Sequence, residues 1–337
     1  MRYWIILLGF FLLYSCSSIH YMDIQTLVPA QISYPDSVKK LLIVNNAVPQ
    51  SSKMGYDYNL NRIRQDTARI YTDSALMVAA RSLGETIAGS PYYDDIRLYE
   101  VPYNTGGEFL KDSKLKQEEV QKLCSLNGTD AIISIDHLYF KVTRYGNAFR
   151  RFSYDFNEEM QIIFSGIVRS YTPESEKPLS TFHMSDSIYW YDFDGYILYA
   201  ADYMGTGAAR YFYPNWINEN RLYFKSSGSS WKQASAYASA QRWGDALAEW
   251  LRIYDKTSSW KKQAKLATNI ALGYELTDQL KEAGEWLQKA VDLYQKNEKE
   301  KSNEKQYLDY YKKQLDKKIE GSSKLEYQLK NLYIRDE

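Results

Sequence analysis

Residues 115–135 read LKQEEVQKLCSLNGTDAIISI, and this stretch decides the fold of the first half of the chain. Val120, Leu123 and Cys124 recur at helical spacing behind the charged run Lys116-Gln117-Glu118-Glu119. Asn127-Gly128 then supplies the residues that end a helix. Ala131-Ile132-Ile133-Ser134-Ile135 follows at once as a buried strand, continued by Leu138, Phe140 and Val142. A helix that feeds directly into an apolar strand is one half of a βαβ unit.

Working outward, Lys39-Lys40-Leu41-Leu42-Ile43-Val44-Asn45-Asn46 predicts another buried strand. Leu76, Ala80, Leu83 and Ile87 form one helix face, closed by Gly89 and Pro91. Ile96–Val101 alternates as a strand, and the polar residues 49–65 predict a long loop. The order is β-α-β-α-β, which favours parallel strands with right-handed crossovers. Met160–Gly166 and Leu179–Met184 then read as a hairpin joined through Pro173 and Pro178, so the sheet is mixed. Residues 195–210 predict a helix rich in small residues, from Ala200 to Ala209.

The second half changes character. Tyr237, Ala246 and Trp250 recur at one constant shift as Tyr274, Ala283 and Leu287. With Ala267, Ile270, Ala271 and Ala290, these positions resemble the tetratricopeptide pattern, which puts small residues where paired helices touch. Beyond residue 297 lysines and acids interleave around a stripe of Leu308, Tyr311, Leu315 and Ile319, predicting a solvated capping helix. Gly321 is expected to stop it, and Ser323-Lys324-Leu325-Glu326 to cap a last short helix. The fold class expected is α+β: an N-terminal mixed-sheet α/β domain followed by an all-α tetratricopeptide-like helical-repeat domain. The expected boundaries are a signal peptide over 1–15, an anchor and tether over 16–38 and the α/β domain over 39–213. A linker over 214–225, helix pairs over 226–297 and charged capping helices over 298–337 complete the chain.

Composition narrows the function. The 337 residues carry 42 Lys plus Arg against 42 Asp plus Glu, a formal charge of zero, which argues against a nucleic-acid partner. Two cysteines exclude a disulfide scaffold, and three histidines leave little for metal chemistry. No cofactor or metal site is read. Cys124 sits in an apolar helical stripe and is expected to be a buried, inert thiol. Tyrosine, at 32 residues, is well above its usual share.

The N-terminus points to a compartment. Arg2 precedes an apolar run from Tyr3 to Tyr14, about 18 Å as a helix against a hydrocarbon core of about 30 Å, so it fits a signal sequence better than a membrane span. Leu13-Tyr14-Ser15-Cys16 resembles the bacterial lipobox, with Tyr14 bulkier than usual there. The resemblance implies cleavage before Cys16 and attachment of the protein to a bilayer through acyl chains on that residue. Ser17-Ser18-Ile19-His20 lacks both a leading aspartate and an acidic run, which favours the periplasmic face of the outer membrane. The turn Gly128, Asp130, Ala131, Ile132 resembles one found in periplasmic lipoprotein domains of curli-secretion and penicillin-binding-protein-activator type. The whole chain resembles a Bacteroidota outer-membrane lipoprotein family with a helical-repeat C-terminus, a resemblance that implies no particular activity.

No catalytic constellation is read. Gly205-Thr206-Gly207 is followed by Arg210 where a dinucleotide fingerprint needs its third glycine, so close helix packing is expected. Asp192-Phe193-Asp194-Gly195 lacks the remaining calcium ligands and predicts a turn before a helix. His183, Asp186 and Ser187 cannot share one face of a strand. What remains is aromatic: Tyr189, Trp190, Tyr191, Phe193, Tyr196 and Tyr199, then Tyr211 to Phe224. Trp216, Tyr223, Trp231 and Tyr237 are the candidate binding surface, and Ala246, Trp250, Tyr274, Ala283, Leu287 and Ala290 the repeat packing. The function expected is a lipid-anchored periplasmic binding or scaffold protein with an envelope protein partner and no catalysis. A glycan-binding lipoprotein of a polysaccharide-uptake system is the alternative.

Overall fold

In the computed structural model, β2 (Lys40–Asn45) lies between β5 (Asp95–Leu98) and β6 (Ala131–Gly146) and runs parallel to both. That central place explains its unbroken apolar run, because a parallel strand is covered on both faces. The residues described are 19–60, 63–65, 69–146, 159–190, 195–297 and 302–333. The expected signal peptide and Cys16 lie outside them. The chain divides into two compact units. An α/β unit comprises Pro29–Asn215 with the end of the chain from Glu326, and a helical unit comprises the described residues up to Val28 with Trp216–Leu325.

In the α/β unit, α1 (Asp73–Ala88) buries Leu76, Ala80, Leu83 and Ile87, the face its spacing predicts. It covers one side of the sheet together with α3 (Tyr196–Ala209), over Leu41, Ile43, Ile133 and Ile135. α2 (Gln117–Asn127) covers the other side, with Val120, Leu123 and Cys124 packed on Leu42, Val44, Ile132 and Tyr171. Gly128 closes α2 at φ +61°, a left-handed conformation that glycine adopts without steric cost. Two residues on, the Asp130 carboxylate accepts the backbone N–H groups of Lys39 and Lys40, both at 2.8 Å. The quoted turn therefore anchors the start of β2 as well as that of β6.

β6, β7 (Glu159–Tyr171) and β8 (Ser180–Trp190) run antiparallel in series, as the hairpin reading predicts. A bulge between Ile135 and His137 turns Asp136 inward. The expected loop over 49–65 is corrected: β3 (Tyr56–Leu60) pairs parallel with the far end of β6, and β4 (Ile63–Gln65) pairs with β3. β6 outruns β2, and the edge left beyond Ile135 receives β3. β3 is only five residues long and carries no continuous apolar run, which is why its sequence looks like a loop.

In the helical unit, β1 (Ile19–Val28) and β9 (Asn215–Phe224) form a two-stranded sheet. The expected tether and linker thus both contain a strand. Polar residues hid them, since their inward faces carry Thr26, Glu219 and Arg221. α4 (Ser229–Ser239) and α5 (Trp243–Asp255) make one helix pair, α6 (Trp260–Leu276) and α7 (Leu280–Asn297) the next. The turns are copies of each other. Gln241 and Asp278 have φ +57° and +59°. Arg242 N–H donates to Tyr237 O and Gln279 N–H to Tyr274 O, both at 2.9 Å. The repeat seen in the sequence is therefore a repeat of backbone geometry.

α8 (Asn303–Tyr333) runs through Gly321 without stopping, contrary to the expected break and second cap. Leu308, Tyr311 and Leu315 bury its first half. Past Leu325 it belongs to the α/β unit. There Gln328 accepts the Ala30 N–H at 2.9 Å and donates to Ile32 O at 3.0 Å. Anchors on both sides of Gly321 offset the roughly 1 kcal/mol that a glycine costs inside a helix.

Candidate functional site

α3 lies alongside β8, and aromatic side chains mark that line at regular intervals. Trp190 stacks on Tyr199 with ring centroids 4.2 Å apart. Tyr203, one helical turn on, reaches the Asp186 carboxylate at 3.5 Å and meets Phe164 edge-on at 5.9 Å. Phe182 stacks on Tyr211 at 4.6 Å. Even-numbered β8 residues from Phe182 to Trp190 face the helix, and His183, Ser185, Ser187 and Tyr189 face away. β8 pairs only with β7 and so is an edge of the sheet among the described residues. Tyr189 is 53% exposed, and Tyr199 and Tyr203 42% each. Half-exposed tyrosines on both faces of this strand edge offer two means of recognition, main-chain hydrogen bonds and apolar contact. The sequence cluster supplied Tyr189, Trp190, Tyr196 and Tyr199; Tyr203 was missed. Its position four residues after Tyr199 is the signal that could have found it.

The candidate surface Trp216, Tyr223, Trp231 and Tyr237 does not assemble. Tyr223 and Trp231 are buried in the core of the helical unit. Tyr223 packs on His20 at 4.9 Å and Trp250 at 6.0 Å, and its hydroxyl lies 3.1 Å from Ser239 Oγ. Trp216 is exposed, and Tyr237 is half-buried beneath the Arg242 guanidinium at 4.7 Å. Burial wins for two of the four because a large ring gains more from the core than from solvent. The repeat-packing residues fare differently: Ala246, Trp250, Ala283, Leu287 and Ala290 are buried, and Tyr274 is half-buried.

The remaining motifs resolve into packing. Gly205 sits where α3 touches α1. Gly195 precedes α3 at φ +74°, and Asp192, Phe193 and Asp194 lie outside the described residues. Asp186 projects to the side opposite His183 and Ser187. Cys124 is buried, and burial raises its thiol pKa, which keeps it protonated.

Two buried charge networks had no sequence signal. In the α/β unit the Asp136 carboxylate accepts Arg169 Nη1 at 2.6 Å, Tyr171 OH at 2.8 Å, Ser134 Oγ at 2.5 Å and Asn46 Nδ2 at 3.0 Å. Arg169 also reaches Asp112 at 2.8 Å, and Asn46 donates to the Ser113 carbonyl, so the loop before α2 is tied to the sheet. In the helical unit Arg221 forks onto Glu275 at 3.0 and 2.9 Å and onto Glu219 at 2.9 Å. Tyr311 OH donates to Glu275 at 2.8 Å, Lys318 approaches it at 3.3 Å, and Thr26 Oγ1 donates to Glu219 at 2.8 Å. Burial opposes the Glu275 charge, and Arg221 beside it outweighs burial, holding the carboxyl below its ordinary range. Two cations face two carboxylates, so the cluster is neutral and its lone pairs are used; it joins β1, β9, α6 and α8.

A cavity of about 60 Å³ in the α/β unit is lined by Ile32, Tyr34, Tyr92, Tyr93, Phe212 and Gln328, among others. Among the described residues no group of three His, Cys, Asp or Glu side chains could hold a metal ion, and no helix is long and apolar enough to cross a membrane.

No curated protein matches the chain. Two solved structures, the PelC dodecamer from Paraburkholderia phytofirmans and a point variant of it, are 10% and 9% identical. They cover 57% and 56% of this chain and 97% and 98% of their own, with TM-scores of 0.27 and 0.26. A likeness at that level carries no argument about fold or assembly. Residues 232–317, which span the helix pairs and the start of α8, match a second family, described as Domain of unknown function (DUF6340). Residues 38–224, more than half of the chain, match the family described as Domain of unknown function (DUF8603), and the chain belongs to that family.

Proposed function

We propose that this protein is a lipid-anchored binding or scaffold protein of the bacterial cell envelope, held by acyl chains on Cys16 at the periplasmic face of the outer membrane. Its work is recognition rather than catalysis. The observation that carries the reading is the outer edge of β8, which has no strand partner among the described residues and carries half-exposed Tyr199 and Tyr203 on its α3 side and Tyr189 on the other face. Tyrosine suits recognition because it gives large contact area at low entropy cost, with a hydroxyl for hydrogen bonding. The buried charged side chains Arg221, Glu275, Arg169 and Asp136 are already spent on holding elements together. The helix pairs, read as tetratricopeptide-like, supply a scaffold of the kind used to receive protein segments.

A photo-crosslinking residue at Tyr199 of the full-length protein in the native envelope tests this reading. A discrete protein adduct is expected there and none from the same residue at Tyr71, which is 70% exposed and lies just before α1. Equal, diffuse labelling at both positions overturns it. The stacked Trp190–Tyr199 pair favours glycan binding as the second reading. Retention on a glycan array that Tyr199→Ala abolishes would replace the protein partner with a sugar.

A further inference from the structure

We propose that the partner at the β8 edge is a second copy of this chain, whose β8 pairs antiparallel with the first about a two-fold axis through Ser185. The inference rests on the reading of this edge as an interaction surface and names its occupant.

The strand itself argues for this partner. β8 is 11 residues long, STFHMSDSIYW, which extends about 36 Å. Exposed edges are normally protected by lysine, proline or short length. β8 has no lysine, arginine or proline, and its single charge is Asp186, whose carboxylate accepts the Ser187 N–H at 2.8 Å, a bond that a pairing strand must displace. Its helix-side row, Phe182, Met184, Ile188 and Trp190, is only partly buried. An edge with this composition attracts another strand, and the sequence selects which register.

Residues directly opposite one another in an antiparallel pair share a face. Only registers that match even-numbered with even-numbered residues therefore keep the apolar rows together. A centre at Asp186 sets two carboxylates face to face. A centre at Met184 sets Asp186 against Phe182. A centre at Ser185 does neither, and it alone pairs the strand over its whole length, Ser180 to Trp190. Phe182 then faces Ile188 of the second copy, Thr181 faces Tyr189, and His183 faces Ser187. Asp186 faces Met184 and keeps the Tyr203 hydroxyl within 3.5 Å. The two α3 helices flank the junction on one face of the joined sheet, so Tyr199 and Tyr203 of each copy come against the other. The register that is longest is also the one that avoids charge repulsion and covers the exposed tyrosines.

Cysteine pairs read this register directly. Full-length protein in detergent micelles carries Ser185→Cys and is treated with copper phenanthroline. A covalent dimer is expected, since opposite Cα atoms in a sheet lie about 4.5–5.5 Å apart, within disulfide reach. Ser187→Cys alone is expected to give none, because the two positions lie about 14 Å apart in that register. Mixing Ser187→Cys with His183→Cys should restore the link. Unsubstituted protein controls for Cys16 and Cys124. Ser185→Lys sets like charges opposite each other and should weaken the dimer roughly fivefold or more in sedimentation. All these positions are exposed in the single chain, so the circular dichroism spectrum of each variant should match the parent and show an intact fold. Absence of a dimer from Ser185→Cys, or equal yields from Ser185→Cys and Ser187→Cys, overturns the inference. A Tyr199 photo-adduct of a different protein with no Ser185→Cys dimer overturns it while leaving the binding reading intact; no adduct of any kind removes both.

Discussion

Gly205 on α3 lies against the backbone of Ala79 on α1: an added Cβ would overlap the Ala79 carbonyl oxygen and stand 3.0 Å from the Leu83 nitrogen. The obstacle is backbone, which cannot swing away. Gly205→Ala is expected to push the two helices apart and cost about 2–3 kcal/mol, despite the gain of up to about 1 kcal/mol in helix propensity. Gly207→Ala, whose nearest neighbours are 4.0 Å away, should be neutral or slightly stabilising. Denaturant midpoints of the two variants check this, and equal midpoints would remove close packing as the reason for Gly205.

The Arg221–Glu275 network predicts both a mutational and a pH effect. Glu275→Ala leaves Arg221 buried without its main partner and should destabilise by about 3–5 kcal/mol. Arg221 and Glu275 replaced together by apolar residues of similar size should cost less than Glu275→Ala, because Arg221 is then not stranded; the cost that remains is Glu219 left without its cation. The folded-state pKa of Glu275 is lowered, so the unfolded chain binds more protons at acid pH. The stabilisation is present above the ordinary glutamate pKa and is lost as pH falls through the folded value. Melting curves from neutral to acid pH should converge for wild type and the double variant. A constant difference would show that the pair has no linkage to protons.

The repeat makes its own prediction. Ala283, on α7, is fully buried in a core that also holds Leu287 and Ala290 of its own helix and residues of α6 and α8. Ala283→Leu should cost about 1–3 kcal/mol by overpacking. An unchanged melting temperature would mean that the helices of the second pair part easily.

How much of this was legible beforehand follows from the physics of each element. The 115–135 stretch was legible because its apolar period changes from helical to continuous within a few residues, and nothing in the tertiary structure overrides that. β3 and β4 were not, because strands of five and three residues with no continuous apolar run leave no period to read. β1 and β9 were not, because their inward faces hold Thr26, Glu219 and Arg221, and Arg221 meets its main partner, Glu275, only when α6 arrives. The aromatic site was legible as a cluster but not as a surface. Tyr223 and Tyr199 have the same chemistry, and only the fold buries one and exposes the other. The pairing of Tyr203 with Asp186 depends on α3 lying beside β8, a contact with no local signature.

Two glycines of the helical unit separate packing from propensity. Gly244 is near the start of α5 and exposed, and an added Cβ would meet no heavy atom within 4 Å. Gly273 is in α6, and its Cβ would stand 3.0 Å from Leu247 Cβ and 3.2 Å from Leu247 Cδ1. Alanine gains about 0.4–1 kcal/mol at either site by restricting the unfolded chain. At Gly244 that gain is unopposed, so Gly244→Ala should raise the melting temperature. At Gly273 the closest obstacle is a Cβ, fixed to the backbone of α5 rather than at the end of a flexible side chain. α5 and α6 must therefore separate by a few tenths of an ångström along a contact that also holds Ile253, Leu266 and Ile270 in one core. Gly273→Ala should lose about 1 kcal/mol net, the overpacking cost less the propensity gain. Opposite signs for the same substitution in neighbouring helices are the expected result; a stabilised Gly273→Ala would show that Leu247 yields and that the two helices are less tightly joined than the distance implies.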